Sequence, residues 1–262
     1  MNLDLTGKTA LVAGSTQGIG QKTAEQLAKM GASVVLMARN EDKLKEVMQS
    51  LHAAKGAEHG YIVADFSKYE EVRERASAFF EKRAELHILV NNTGGPPGGP
   101  IIDAQPEDFL AAFQSHLICN HILAQIAVPL MRKAGYGRII NVVSTSVKAP
   151  LSNLGVSNTV RGAVANWAKT LANEISRYNI TVNNVLPGAT NTSRLTSIVE
   201  KKSEKTGKSF EEVLQDMNNA VPMKRVAEPE ETADAIAFLA SPAAGYINGT
   251  NVPVDGGRTP VL

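Results

Sequence analysis

The stretch Lys8–Gly20, KTALVAGSTQGIG, decides the fold. Its first part, Lys8–Ala13, is a short apolar run of the kind a buried strand requires. It leads into Gly14-Ser15-Thr16-Gln17-Gly18-Ile19-Gly20, and a helical pattern, Gly18–Met30, takes over. Glycines at such a turn remove Cβ atoms, so the backbone turns tightly and comes close to a pyrophosphate. The helix that follows points free N–H groups and the positive end of its dipole at the same anion. A glycine triplet alone is weak evidence. At a first strand-to-helix turn, about 20 residues before the end of a second strand, it is much stronger. Gly14, Ser15, Thr16, Gln17, Gly18, Ile19 and Gly20 are therefore expected to hold a dinucleotide.

The second strand, Ser33–Ala38, ends Leu36-Met37-Ala38-Arg39-Asn40. An NAD site usually has a carboxylate here for the ribose 2′-hydroxyl. Ala38 stands there instead and Arg39 follows. A guanidinium suits a 2′-phosphate by charge and by fork geometry, so the expected cofactor is NADP(H).

Further out, β-branched runs alternate with longer amphipathic stretches. Strands are expected at Tyr61–Ala64, His87–Asn91, Gly137–Val143, Ile180–Leu186 and Ile247–Val254. Helical patterns cover Glu41–Ala53, Tyr69–Arg83, Pro106–Lys133, Gly155–Tyr178 and Pro229–Ala240. Strands apolar on both faces, separated by helices, predict an α/β fold. Its form is a doubly wound, mostly parallel seven-stranded sheet of Rossmann type with helices on both faces. A chain of 262 residues suits one large domain or two small ones. With no repeat or linker, a single domain over 1–262 is expected. Gly94–Pro100 reads as a loop at the carboxyl edge of the sheet, where such folds bind ligands. The polar segment 192–222 breaks the alternation with one or two helices. It is expected to be a flap over the substrate, the other reading being a solvated excursion.

Hydrophobic residues make up 43%, charged residues 20%, and the net charge is +1. That balance gives no support to nucleic acid or membrane as a partner. The single cysteine, Cys119, excludes an internal disulfide and reads as core packing. With no signal core and no spanning apolar run, a cytoplasmic location is the default. The histidines His52, His59 and His87 have no metal spacing with one another or with Cys119, so no metal site is expected.

These motifs, in this order, resemble the short-chain dehydrogenase/reductase family, especially its 3-oxoacyl-ACP-reductase-like members. The resemblance covers nearly the whole chain. It implies that Asp65 contacts the adenine. Asn91-Asn92-Thr93-Gly94 resembles the family's Asn-Asn-Ala-Gly stretch and puts Asn91 and Gly94 beside the cofactor. Pro187-Gly188 followed by Thr192 resembles the segment that holds the nicotinamide amide, and Asp255-Gly256-Gly257 the C-terminal signature. A small carbonyl or alcohol substrate is implied, as is a homotetramer or dimer built on helices around Phe109–Leu130 and Ala163–Ile175.

The chain departs from the family at its proton-transfer set, usually Asn, Ser, Tyr and Lys. Ser144 matches the serine. By alignment His116 stands at the asparagine position, Ser157 at the tyrosine and Arg161 at the lysine. A serine hydroxyl is a far weaker acid than a phenol of pKa about 10. Arg161 keeps the charge but does not give up its proton, and it is also a candidate for holding the nicotinamide ribose of the cofactor or an anionic group of the substrate. Ser157 and Arg161, four apart on a helix, share a face. His116 titrates near neutrality, so it is the candidate acid as an imidazolium, with Ser144 and Ser157 polarising the carbonyl. The competing reading of His116 is a helix residue bonded to the backbone. Three functions stay open: an NADP(H)-dependent oxidoreductase with an altered proton donor, a catalytically silent NADP(H)-binding sensor or assembly subunit, and a lyase or isomerase with His116 as base.

Overall fold

A computed structural model describes residues 1–83 and 85–261; Ala84 and Leu262 of the expected unit lie outside the described residues. The first half alternates β1 (Thr9–Ala13), α1 (Gly18–Lys29), β2 (Ser33–Ala38), α2 (Glu41–Ser50), β3 (Gly60–Val63), α3 (Tyr69–Arg83) and β4 (Ile88–Asn91). Then follow α4 (Pro106–Phe113), a π-helical segment (Gln114–Ile118), α5 (Cys119–Ala134), β5 (Gly137–Val142), α6 (Gly155–Ile175) and β6 (Ile180–Pro187). The chain closes with α7 (Ser193–Thr206), α8 (Phe210–Asn219), α9 (Pro229–Ala240) and β7 (Asn251–Val254).

The seven strands form one sheet in the order β3-β2-β1-β4-β5-β6-β7, and every pairing is parallel. The order reverses between β1 and β4, and a crevice opens there at the carboxyl ends of the strands. Successive residues of a strand face opposite sides, so one apolar run feeds two cores. Val34 and Leu36 of β2 pack with Leu27 of α1 and Ile236 of α9. Their neighbours Val35 and Met37 pack with Val72 of α3, Leu123 of α5 and Ala172 of α6. Cys119 is buried in this second core, which pushes its thiol up to about 12. Trp167 packs against the same core.

Several element ends shift by one to three residues, α2 for instance stopping at Ser50 rather than Ala53, and three differences have a structural cause. The expected helix Pro106–Lys133 is interrupted by the π segment, where one extra residue per turn is accommodated. β7 begins at Asn251 rather than Ile247. Gly249 adopts φ +67, and the Asn248 side chain, not a ladder, accepts from Val182 N. The last turn expected through Tyr178 tightens to 3-10 geometry at Ser176–Tyr178. Among the described residues no helix is long and apolar enough to cross a membrane. None of their His, Cys, Asp and Glu side chains form a group of three that could hold a metal ion.

Candidate active site

At the end of β1 the glycine turn adopts the shape its residues permit. Gly14 has φ +60 and Gly18 φ +56, a region that strains other residues. A Cβ on Gly20 would stand 2.2 Å from the Gly14 carbonyl oxygen and 2.6 Å from Asn92 Nδ2, so turn and helix can close only on glycine. Asn92 clasps the turn, its Nδ2 donating to Ala13 O at 3.3 Å and to Gly14 O at 3.2 Å. Gln17, at the N-cap of α1, makes no side-chain cap, and the first turn carries no acidic residue. The first amides of the helix are therefore open to an anion.

Ser15 is fully buried and its hydroxyl accepts from Met37 N at 3.0 Å, tying the turn to β2 and supporting the cradle. Gly20 is likewise buried, its role being to let the helix close on the turn. Thr16, Gln17, Gly18 and Ile19 keep accessible surface on the cradle.

Arg39 is exposed just past β2, and its charge reaches Asp65 after β3. Burial opposes ionisation of Asp65. The Ser67 N–H bond, with Arg39 and Lys68, outweighs it and holds the carboxyl below its ordinary value. A cation and a carboxylate thus flank the end of β2, as an adenosine with a charged ribose requires. The cradle, its open amides and Arg39 fit a phosphorylated dinucleotide.

Asn91 ends β4, next to the Asn92 that clasps the turn. It begins a buried ladder across four strands, Asn91 Nδ2 to Asn141 Oδ1 (2.8 Å), Asn141 Nδ2 to Asn184 Oδ1 (2.9 Å) and Asn184 Nδ2 to Asn251 Oδ1 (2.8 Å). Its own Oδ1 is buried and lacks a protein partner. The strand register brings these four residues side by side. Gly94 is exposed, with open space where a Cβ would be. Gly188 packs on Asp255, whose Cα would meet a Cβ there at 2.8 Å; Pro187 precedes it at the end of β6. Thr192 caps α7 by accepting from Leu195 N, and its methyl faces Gly18 across the crevice.

Ser144 follows β5 and accepts from Ser146 N at 3.1 Å. Ser157 and Arg161 sit one turn apart on α6. Arg161 is buried, and its Nη1 donates to Val142 O at 2.9 Å, which brings the guanidinium to the strand end that carries Ser144.

His116 corrects an expectation. It is buried in the π segment, where its Nδ1 shares a hydrogen bond with Thr93 Oγ1. Burial, then the charges of Arg161 and Arg194, push its pKa down to about 3. A ring held that low favours the neutral form at pH 7, which weighs against the imidazolium donor expected from the sequence. The same two arginines place it beside the crevice.

The 192–222 segment folds as α7 and α8, joined by a small core of Leu195, Val199 and Val213. Arg194 in the first turn of α7 donates to Gly95 O at 3.1 Å and Pro96 O at 3.0 Å, so the segment touches the loop after β4. On the far side of that loop, Pro96, Pro97, Pro100, Asp108 and Val156 line a cavity of about 160 Å³. Asn92, Thr93, Asn141 and Arg194 escaped the sequence reading. Asn92 and Thr93 carried a signal in the Asn-Asn-Thr-Gly stretch, whereas Arg194 lay in a segment whose charges read equally well as surface.

Residues 13–259 match the family pattern described as Enoyl-(Acyl carrier protein) reductase. A tropinone reductase homolog of Arabidopsis thaliana is 34% identical over 97% of this chain and 93% of its own length. The NADPH-dependent reductase BacG of Bacillus subtilis is 32% identical over 97% of this chain and 98% of its own. The solved L-sorbose reductase of Gluconobacter frateurii, complexed with NADPH and L-sorbose, superposes with a TM-score of 0.94 at 33% identity, over 100% of both chains.

Proposed function

Because this chain belongs to the short-chain dehydrogenase/reductase family, we propose that it is an NADP(H)-dependent oxidoreductase that interconverts a carbonyl and its alcohol with Ser144 and Ser157 at the reacting oxygen and Arg161 as the anchoring charge beside them. One observation carries this reading: an uncapped helix start behind a glycine turn, with Arg39 where a ribose-binding carboxylate is missing. The relatives described above that are named for a cofactor are named for NADPH.

When bound, NADPH supplies the hydride. The chain's own residues position and polarise the acceptor. Ser144 and Ser157 offer hydroxyls to the carbonyl oxygen. Arg161, positive and buried, lies beside them and anchors the substrate or the cofactor by charge, an effect strengthened where water is excluded. The proton reaches the oxygen from solvent through the Ser157 hydroxyl, since the one N–H of a neutral imidazole is far too weak an acid to replace an imidazolium. His116 instead fixes the Thr93 hydroxyl on the loop after β4. The α7–α8 segment closes over the substrate.

The test is NADPH oxidation with ketoses, simple ketones and diketones. Turnover above background on at least one is expected, with Ser157→Ala lowering kcat by about 10²–10³-fold. His116→Asn should keep kcat within about tenfold and leave the pH profile without a new limb near neutrality.

A second reading, a silent NADP(H)-binding protein, is favoured by the absence of a phenol at position 157. The double variant Ser157→Tyr/Arg161→Lys separates the two. Activity arising only in that variant supports the silent protein.

A further inference from the structure

Two arginines converge on the crevice with no carboxylate to meet them. Arg161 is 8% exposed, yet among the described residues no acidic side chain pairs with it, and only one of its five N–H donors has a recorded protein acceptor. Arg194 arrives from α7 and spends its two terminal nitrogens on backbone carbonyls, not on a carboxylate. A Cβ on Gly95 would lie 3.2 Å from Arg194 Nη2 and 3.7 Å from Arg161 Nη2, so both guanidiniums border the space beside one glycine. Burial, and then Arg194, bring Arg161 down to about 10, so it stays charged at neutral pH.

A buried cation without a counter-charge is costly, and a second cation beside it adds repulsion. Such a pair is stable in use only if an anion completes it. The cofactor's phosphates have their own seat at the N-terminus of α1. The Arg161 guanidinium lies instead at the end of β5, the strand that leads into Ser144, and its residue is one helical turn from Ser157, while Arg194 faces it across Gly95.

We propose that the substrate is an oxo acid, its carboxylate held between Arg161 and Arg194 while its carbonyl meets Ser144 and Ser157. This rests on the reading of the crevice as a carbonyl site. A planar carboxylate matches the fork of a guanidinium, and charge-assisted bonds of this kind are the strong ones. Because Arg194 rides on α7 and already bonds the loop after β4, a bound carboxylate adds a further tie between that segment and the site. The substitution of arginine for the family's lysine then acquires a purpose: a permanent, forked charge in place of a compact ammonium.

The experiment compares acetoacetate with methyl acetoacetate, and pyruvate with methyl pyruvate, as substrates for the NADPH-saturated protein at low ionic strength. In parallel, calorimetry measures malonate binding to the NADP⁺-saturated protein. The acids should exceed their esters in kcat/KM by at least about tenfold, and added salt should erode the difference. Arg194→Gln, whose amide can still donate to a carbonyl, should abolish the preference and weaken malonate by at least about tenfold. Arg194→Lys should retain part of both, and neither change should alter NADPH affinity. Esters turned over as well as acids, or malonate failing to bind while NADP⁺ does, overturns the oxo-acid assignment. So does an Arg194→Gln defect confined to NADPH, which would give the arginine to the cofactor. Should no carbonyl turn over, the oxidoreductase reading fails on its own, and malonate calorimetry still decides the carboxylate site.

Discussion

Single residues at this site act by what they exclude as much as by what they touch. Gly20 is excluded from carrying any side chain, because even a methyl group would overlap the Gly14 carbonyl. Gly20→Ala should weaken NADPH by more than about tenfold and destabilise the fold by about 1–3 kcal/mol, the range of overpacked sites; fluorescence titration and urea unfolding check the two separately. His116 is excluded from carrying charge. Its folded pKa of about 3 lies below the unfolded value of 6.5, so above pH 6.5 neither state binds the proton and the native state is unpenalised. As pH falls from 6.5 towards 3 the unfolded chain takes up a proton that the native state refuses. Stability then declines by up to about 1.4 kcal/mol per pH unit from this group. Urea midpoints measured from pH 7 to pH 4 should fall more steeply for the wild type than for His116→Asn. Equal slopes would show that another group, such as the depressed His87, dominates the acid limb.

Among the elements, the four strands β4 to β7 are joined by side chains as well as by their ladders. Each asparagine of the row donates to the next, and buried chains of amides polarise one another. Asn141 is fully buried in the middle of the row. Asn141→Ala orphans a donor on Asn91 and an acceptor on Asn184, and should cost about 2–4 kcal/mol, seen as a drop of about 5–10 °C in Tm. Substituting the exposed Pro253 of β7 should cost far less. The π segment has a similar logic. A regular helix through Gln114–Ile118 would rotate His116 away from Thr93, and π turns recur where a side chain must be re-aimed into a site. The α7–α8 segment is held by its own small core and by the bonds of Arg194 to the loop after β4.

On the scale of the whole molecule, the crevice at the β1/β4 reversal collects groups from residues 14 to 194, and a bound dinucleotide would bridge them. Ligand that binds only the folded state stabilises it by mass action. At about one hundred times its Kd, NADPH should contribute about 2.7 kcal/mol and raise Tm by about 5–10 °C. NADH at the same concentration should do much less, and Arg39→Ala should bring the two shifts together. A shift from NADH equal to that from NADPH would remove Arg39 from the 2′-phosphate.

Much of this was legible in the chain itself. The glycine spacing, the apolar runs and the charge at the end of β2 are local features, and local physics sets what they form. Helix α3 and strand β2 were read to the residue because their patterns have clean ends. The helix through Pro106–Lys133 was not, since a π turn leaves the apolar period nearly unchanged. Position 116 was found, but its charge state was not, because a pKa depends on burial and on charges far away in sequence.

What the sequence determined alone is the doubly wound sheet, the phosphate cradle and the preference for a second phosphate, since spacing, periodicity and residue type at neighbouring positions suffice for each. Only the tertiary structure decided that Ser15 turns inward, that Asn91 joins a row of amides, that His116 is neutral and that Arg194 stands with Arg161. Each of those depends on which distant segments share one environment, and burial and Coulomb energy are properties of that environment, not of any stretch of chain.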